Sequence, residues 1–222
     1  MSTQVRNVAV SKSIKLEGIR KTISQRMKFS KETFPHAYLM IDVDASKIME
    51  KHKTLESKPS YNAILMKGVA EALKSHPMLN SYLDGEEIKV LADINIAIAV
   101  DTPFGLYAPV VGNVDKKGLK QIDDEIRELA EKAKNMKLSL FDVTGGTFTI
   151  TNLGSFGIDF FVPIINPPQT GILGVGRIRE NRYIYLTLSF NHSVVDGAEG
   201  ARFLSDLKAT LESFKNDELN EQ

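Results

Sequence analysis

The chain contains no cysteine among its 222 residues. Disulfides, a thiol nucleophile and thiolate metal sites are therefore excluded. It also lacks a net charge, since 28 Lys plus Arg balance 28 Asp plus Glu. A zero balance provides no field to gather nucleic acid or an anionic membrane, and it is compatible with self-association. No apolar run approaches the roughly 20 residues of a membrane span. No charged-then-apolar signal segment opens the chain. A soluble, cytoplasmic protein is expected, without membrane or nucleic-acid partners. Internal repeats, low-complexity tracts and flexible linkers are also absent.

What is present is enough apolar matter for one continuous core, 42% of residues, at a length that suits one large domain. Residues 1–13 are polar and aperiodic and read as an arm. Residues 14–216 read as one domain and 217–222 as a tail. "EGIRKTISQRMKFSKE" places Ile19, Ile23 and Met27 at four-residue steps, which predicts a basic amphipathic helix lying on the domain. "HAYLMIDVD" alternates as a strand. "ASKIMEKHKTLESK" is expected to be helical until Lys58-Pro59-Ser60 breaks it. In "YNAILMKGVAEALKSHP", Ile64, Leu65, Val69, Ala72 and Leu73 share one helical face. A hairpin is expected around Asp84-Gly85. "INIAIAV" and "GLYAPVV" read as strands joined by a turn, "DTPF".

The clearest helix is "LKQIDDEIRELAEKAKNMK", with a stripe of Leu119, Ile122, Ile126, Leu129 and Ala133. "GGTFTITNLGSFG", "TGILGVGRI" and "YIYLTLSFNH" read as strands. In the last, Ile184, Leu186, Leu188 and Phe190 share one face. A final helix from about Glu199 to Phe214 buries Phe203, Leu204, Leu207 and Leu211. Intermixed helices and strands argue for an α+β domain with a mixed sheet and helices packed on it.

The stretch most charged with chemistry is "FNHSVVDGAEG", residues 190–200. Alternation puts His192 on the side of Phe190, so its ring is expected to point inward at the strand end. A histidine there has ordinary explanations as a satisfied core residue or a cap partner. A metal ligand is disfavoured, because His36, His52 and His76 stand alone without HxxxH or HxH spacing. Asp196 lies four residues on, within reach of a turn. Gly197 and Gly200 would allow a sharp turn and a close approach. A titratable ring whose proton leaves near neutral pH, set before a glycine-containing turn, suits a reactive site.

HxxxDG followed by an alanine-containing helix resembles the signature of the dihydrolipoyl acyltransferases, the core enzymes of 2-oxo acid dehydrogenase complexes. That signature and fold are shared with chloramphenicol acetyltransferase. "LEGIRKTISQRM", "INIAIAVDTPFGLYAPVV", "GGTFTITNLGSFG" and "IINPPQTGILGVGRI" resemble further family segments in the same order. The resemblance implies a chloramphenicol acetyltransferase-like fold and acyl transfer between a dihydrolipoyl thiol and coenzyme A. It implies His192 as general base and Thr151 as the hydroxyl that steadies the tetrahedral oxyanion. Asp196 would hold the loop, for example through Arg20 or Arg26. Without the resemblance, Thr147, Thr149 and Thr151 read as a β-propensity row.

For coenzyme A, the family pattern falls on Ser60, Asp101, Asn152, Gly176 and Ile178. Ser60 reads equally as an N-cap and Asp101 as a turn residue. One departure is Asn191, where the family usually has an aspartate before the histidine. "LGVG" with "GVGRI" is not a dinucleotide loop, since it lacks GxGxxG and no helix follows.

The resemblance also implies trimers whose active sites lie between subunits, assembled into a larger core. Its partners would be a lipoyl domain and peripheral dehydrogenase subunits. Neither a DKA-type lipoyl turn nor a Pro/Ala-rich linker occurs, so the lipoyl group is expected on a separate domain. Two other readings are a coenzyme A-dependent acyltransferase with another small acceptor, and a scaffold core with a degenerate site.

Overall fold

The computed structural model describes residues 8–56 and 58–213. Residues 1–7 of the expected arm lie outside them, as do Phe214 and the expected tail at 217–222. Residues 8–13 form neither helix nor strand. The elements are α1 (Gly18–Thr33), β1 (His36–Asp44), α2 (Ser46–Thr54) and α3 (Tyr61–Ser75), then β2 (Ser81–Asp84) and β3 (Glu87–Val90). Next come β4 (Ile96–Ile98), β5 (Val100–Thr102), β6 (Gly105–Tyr107), β7 (Val110–Val111) and α4 (Leu119–Lys134). The last described elements are β8 (Phe148–Asn152), β9 (Gly171–Arg179), β10 (Tyr183–Asn191) and α5 (Gly197–Ser213). Among the described residues no helix is long and apolar enough to cross a membrane.

The main sheet has six strands in the order β1-β10-β9-β8-β4-β7. The β9/β8 and β8/β4 pairs are parallel and the rest antiparallel. The sheet is mixed, as the intermixed element order predicts. Its two faces differ in chemistry because strand residues alternate. Phe148 and Phe190 are buried on the helix side. There the Phe148 ring lies 5.9 Å from Phe203 of α5. Thr149, Thr187 and Ser189 point to the other side and are also buried. The segment 159–169 covers them. The Ser189 hydroxyl donates to Pro163 O at 2.7 Å and that of Thr149 to Gln169 Oε1 at 2.5 Å. A buried polar face is tolerable only with such partners.

α4 and α5 bury the stripes expected of them. α3 departs from its amphipathic reading. Ala63 through Ala70 are all buried, because α2, α4 and α5 surround the helix. Lys67 survives there because its ammonium donates to Asp115 O and Lys117 O, at 3.2 and 3.0 Å, and bridges Glu71. α2 is shorter than expected and stops at Thr54.

The two strands expected at 94–111 are each broken. β4 pairs in the main sheet, whereas β5 and β6 leave it as a separate hairpin through the turn at Pro103-Phe104. Ala99 sits at the departure point, where its N–H still reaches Ile150 O at 2.9 Å.

Candidate active site

β10 ends at Asn191, and the chain turns before α5. Asn191 builds that turn. Its side chain is buried, its Oδ1 accepts from Ser193 N at 3.0 Å, and its carbonyl accepts from Val194 N and Val195 N. Asn and Asp both favour this local bond. The amide therefore supplies here the acceptor a carboxylate would supply, and the departure from the family's aspartate leaves the turn intact.

The expectation that His192 points inward is overturned. The residue lies one position past the strand, where alternation no longer governs, and it is exposed. Its backbone N–H donates to Pro35 O at 2.8 Å, and its ring tilts against Phe190 at 5.8 Å.

Asp196 is also exposed. It precedes α5, and its carbonyl accepts from Gly200 N at 3.1 Å. Among the described residues no hydrogen bond or ion pair holds its carboxylate. Arg26, one of the two partners expected for it, instead donates through Nη2 to Asn166 Oδ1 at 3.0 Å and to Pro167 O. Gly197 and Gly200 do not take positive φ. At Gly200 a Cβ would come within 3.0 Å of Leu39 and 3.2 Å of Phe190. That glycine serves the close packing of α5 on the sheet. His36 pairs with Asn191 across β1 and β10. Its ring donates through Nδ1 to Phe34 O and accepts from Ile165 N, a neutral tautomer. Burial lowers its pKa below the usual imidazole value.

Thr151 and Asn152, adjacent on β8, face opposite sides. Thr151 opens on a cavity of about 690 Å³ beside α1, whose Ile23 and Met27 form one wall. The α1 stripe therefore lines a void rather than the core. Among the described residues no hydrogen bond engages the Thr151 hydroxyl. Asn152 opens on a second cavity of about 580 Å³. Ser60, Asn152, Gly176 and Ile178 all line it, so the structure brings four of the five proposed coenzyme A positions together. Asp101 does not join them. It stands exposed on β5, opposite Leu106. Ala99 lines both cavities, which makes the gap where β5 peels away their common border.

Local roles coexist with these positions. Ser60 caps α3, its Oγ accepting from Ala63 N at 3.2 Å. Asn152 donates to Asn62 Oδ1 at 2.8 Å and accepts from Gly154 N. Gly176 lets the 158–159 backbone cross it, since a Cβ there would sit 1.8 Å from Asp159 O. Sequence reasoning missed Asn62 and Arg177 in this cavity. Asn62 was discoverable as the residue two places beyond the N-cap serine in "PSYNA".

Thr151 and His192 of one chain do not meet. Thr151 is level with Gly174, and Gly174 with Thr187. His192 is five residues further along β10 and two strands away. At about 3.3 Å per residue and about 4.8 Å between strands, the two stand roughly 19 Å apart.

The architecture defines the class. Chloramphenicol acetyltransferase superposes with a TM-score of 0.57 at 13% identity, covering 84% of this chain and 94% of that one, a likeness of fold alone. Within that class, the chain belongs to the 2-oxoacid dehydrogenases acyltransferase (catalytic domain) family, whose model matches residues 9–217. It is 41% identical over 217 residues to the dihydrolipoyllysine-residue acetyltransferase component 2 of the Arabidopsis thaliana mitochondrial pyruvate dehydrogenase complex. That match covers 88% of this chain and 40% of the relative, so the chain spans well under half the relative's length. A dihydrolipoyllysine-residue succinyltransferase component from Rickettsia felis is 36% identical, over 90% of this chain and 55% of its own length.

Among solved structures, a probable dihydrolipoamide acetyltransferase from Listeria monocytogenes matches with a TM-score of 0.88 at 39% identity, covering 93% of this chain and 97% of that one. The cubic core of a pyruvate dehydrogenase multienzyme complex matches at 0.87 and 30%, covering 96% of each chain.

Proposed function

We propose that this chain transfers an acyl group between a dihydrolipoyl thiol and coenzyme A, at a site built by two copies of the chain. One copy supplies His192 and the other Thr151. The observation that carries the reading is their separation within one chain, with the imidazole exposed and the hydroxyl unengaged at a cavity floor. Each group lacks a reaction partner until a second copy arrives. The family's assembly in a cubic core, as in the solved relative, supports this arrangement.

The chemistry follows from the two groups. A thiol with an ordinary pKa near ~8.5 is only a few per cent thiolate at neutral pH. His192 takes its proton as sulfur attacks the thioester carbon. The tetrahedral intermediate places negative charge on oxygen, and the Thr151 hydroxyl donates to it. Collapse expels the other sulfur, which recovers the proton from His192. No enzyme-bound acyl intermediate is needed, in keeping with a chain without cysteine. Coenzyme A occupies the cavity of Ser60, Asn152, Gly176 and Ile178, and the acyl carbon reaches Thr151 past Ala99. Asp196 positions the loop through the start of α5 rather than by touching the ring. The lipoyl group comes on a separate domain, and peripheral dehydrogenase subunits supply the acyl groups in the cytoplasm.

The test is acetyl transfer from acetyl-CoA to dihydrolipoamide. His192→Ala is expected to lower kcat by ~10²–10⁴-fold with the assembly size unchanged in light scattering. Full turnover by the variant would overturn the assignment of the base.

A further inference from the structure

We infer that the acyl group is uncharged and aliphatic, and that the site discriminates against a succinyl chain. This rests on the acyl-transfer reading above and specifies its substrate. If Thr151 donates to the acyl oxygen, the rest of the acyl chain lies within a few bonds of that hydroxyl. The space on that face of β8 is the cavity beside α1.

Its walls are mainly aliphatic, with Ile23, Met27, Leu106, Leu138 and Ile172 prominent. Its polar side chains are largely engaged already. Thr149 is bonded to Gln169, the Ser139 hydroxyl to Asp142 Oδ2 at 2.7 Å, and Thr22 to Gly18 O. Among the described residues lining the cavity, Arg26 is the one cation. Its Nη2 is held by Asn166 Oδ1 and Pro167 O at the wall. The second cavity has a cation too, Arg177, but its Nε is paired with Asp159 at 2.6 Å. A succinyl carboxylate would leave water for a space with aliphatic walls, where the one lining cation already spends its Nη2 on the wall. An unpaired charge there is costly, whereas added methylenes gain from burial.

The experiment compares acetyl-CoA, isobutyryl-CoA, isovaleryl-CoA and succinyl-CoA as donors to dihydrolipoamide, with the wild type and Arg26→Gln. The expected result is transfer from the uncharged thioesters. For succinyl-CoA kcat/KM is expected to be on the order of 100-fold lower than the best of them. Arg26→Gln should leave that ratio within about threefold, because Arg26 is engaged with the wall rather than with substrate. Succinyl-CoA used as well as acetyl-CoA, with the preference lost in Arg26→Gln, would make Arg26 a carboxylate anchor and overturn the inference. Acyl transfer itself would then still stand. Failure of all four donors would instead sink acyl transfer, and the inference with it.

Discussion

The proposed division of the site between copies makes a quantitative prediction. Consider two inactive variants, His192→Ala and Thr151→Val. Each alone loses one group, for about 10²–10⁴-fold in the first and about 10²–10³-fold in the second. Thr151 to His192 is roughly 19 Å along and across the sheet in one chain. Flexing cannot close that gap. Asn191 locks the turn through Ser193, Val194 and Val195, and His192 N is bound to Pro35 O. When equal amounts are unfolded and reassembled together, a site needs His192 from one variant and Thr151 from the other. In a cyclic assembly with random mixing, about one quarter of the sites are complete.

The mixture should therefore recover about one quarter of wild-type specific activity, measured as acetyl transfer to dihydrolipoamide. A control with wild type and the double variant separates the alternatives further. Sites shared between chains leave about one quarter active, whereas sites within one chain leave about one half. If mass analysis proves mixed assemblies and activity stays at the sum of the parts, the shared site is wrong.

Three further outcomes are expected. Ser60→Ala should cost ~1 kcal/mol by loss of the α3 cap, and Ser60→Asn should restore most of that. Both should raise KM for coenzyme A by about 3–10-fold. An unchanged KM would reduce Ser60 to a cap. Gly176→Ala forces a Cβ to within 1.8 Å of Asp159 O. A loss of at least ~3 kcal/mol is expected in urea unfolding, and a neutral result would contradict the crossing of the two backbones. Glu199 is held below the usual carboxylate range, chiefly by hydrogen bonding with His76 and then Arg202. A depressed carboxylate contributes stability above its unfolded pKa and loses it as pH falls. Urea midpoints should fall less steeply in Glu199→Gln than in wild type as the pH drops from about 5 to about 3, through and below the usual Glu pKa of ~4.3. Equal slopes would remove this pair from the acid response.

Much of the fold is legible in order and period. The stripe of α4 and the alternation of β10 are visible because each element buries one face. α3 reads as amphipathic and proves buried all round, because Lys67 looks like a surface residue until its three acceptors are in place. The break at Ala99 carries no local signal. It arises because β5 and β6 pair with each other.

The site divides in the same way. Residue chemistry and the resemblance carried by HxxxDG pointed to His192 and Thr151 as candidates, and to Ser60, Asn152, Gly176 and Ile178, which the fold gathers around the second cavity. Those are matters of side-chain type and order along the chain. Where each group points was decided by tertiary structure. His192 leaves the strand one residue before its ring could turn inward. Asp101 is carried off by a hairpin, and Arg26 is taken by Asn166. Pairing across β8, β9 and β10 sets Thr151 far from the imidazole. Such distances depend on strand register and on backbone partners remote in sequence, which no local pattern encodes.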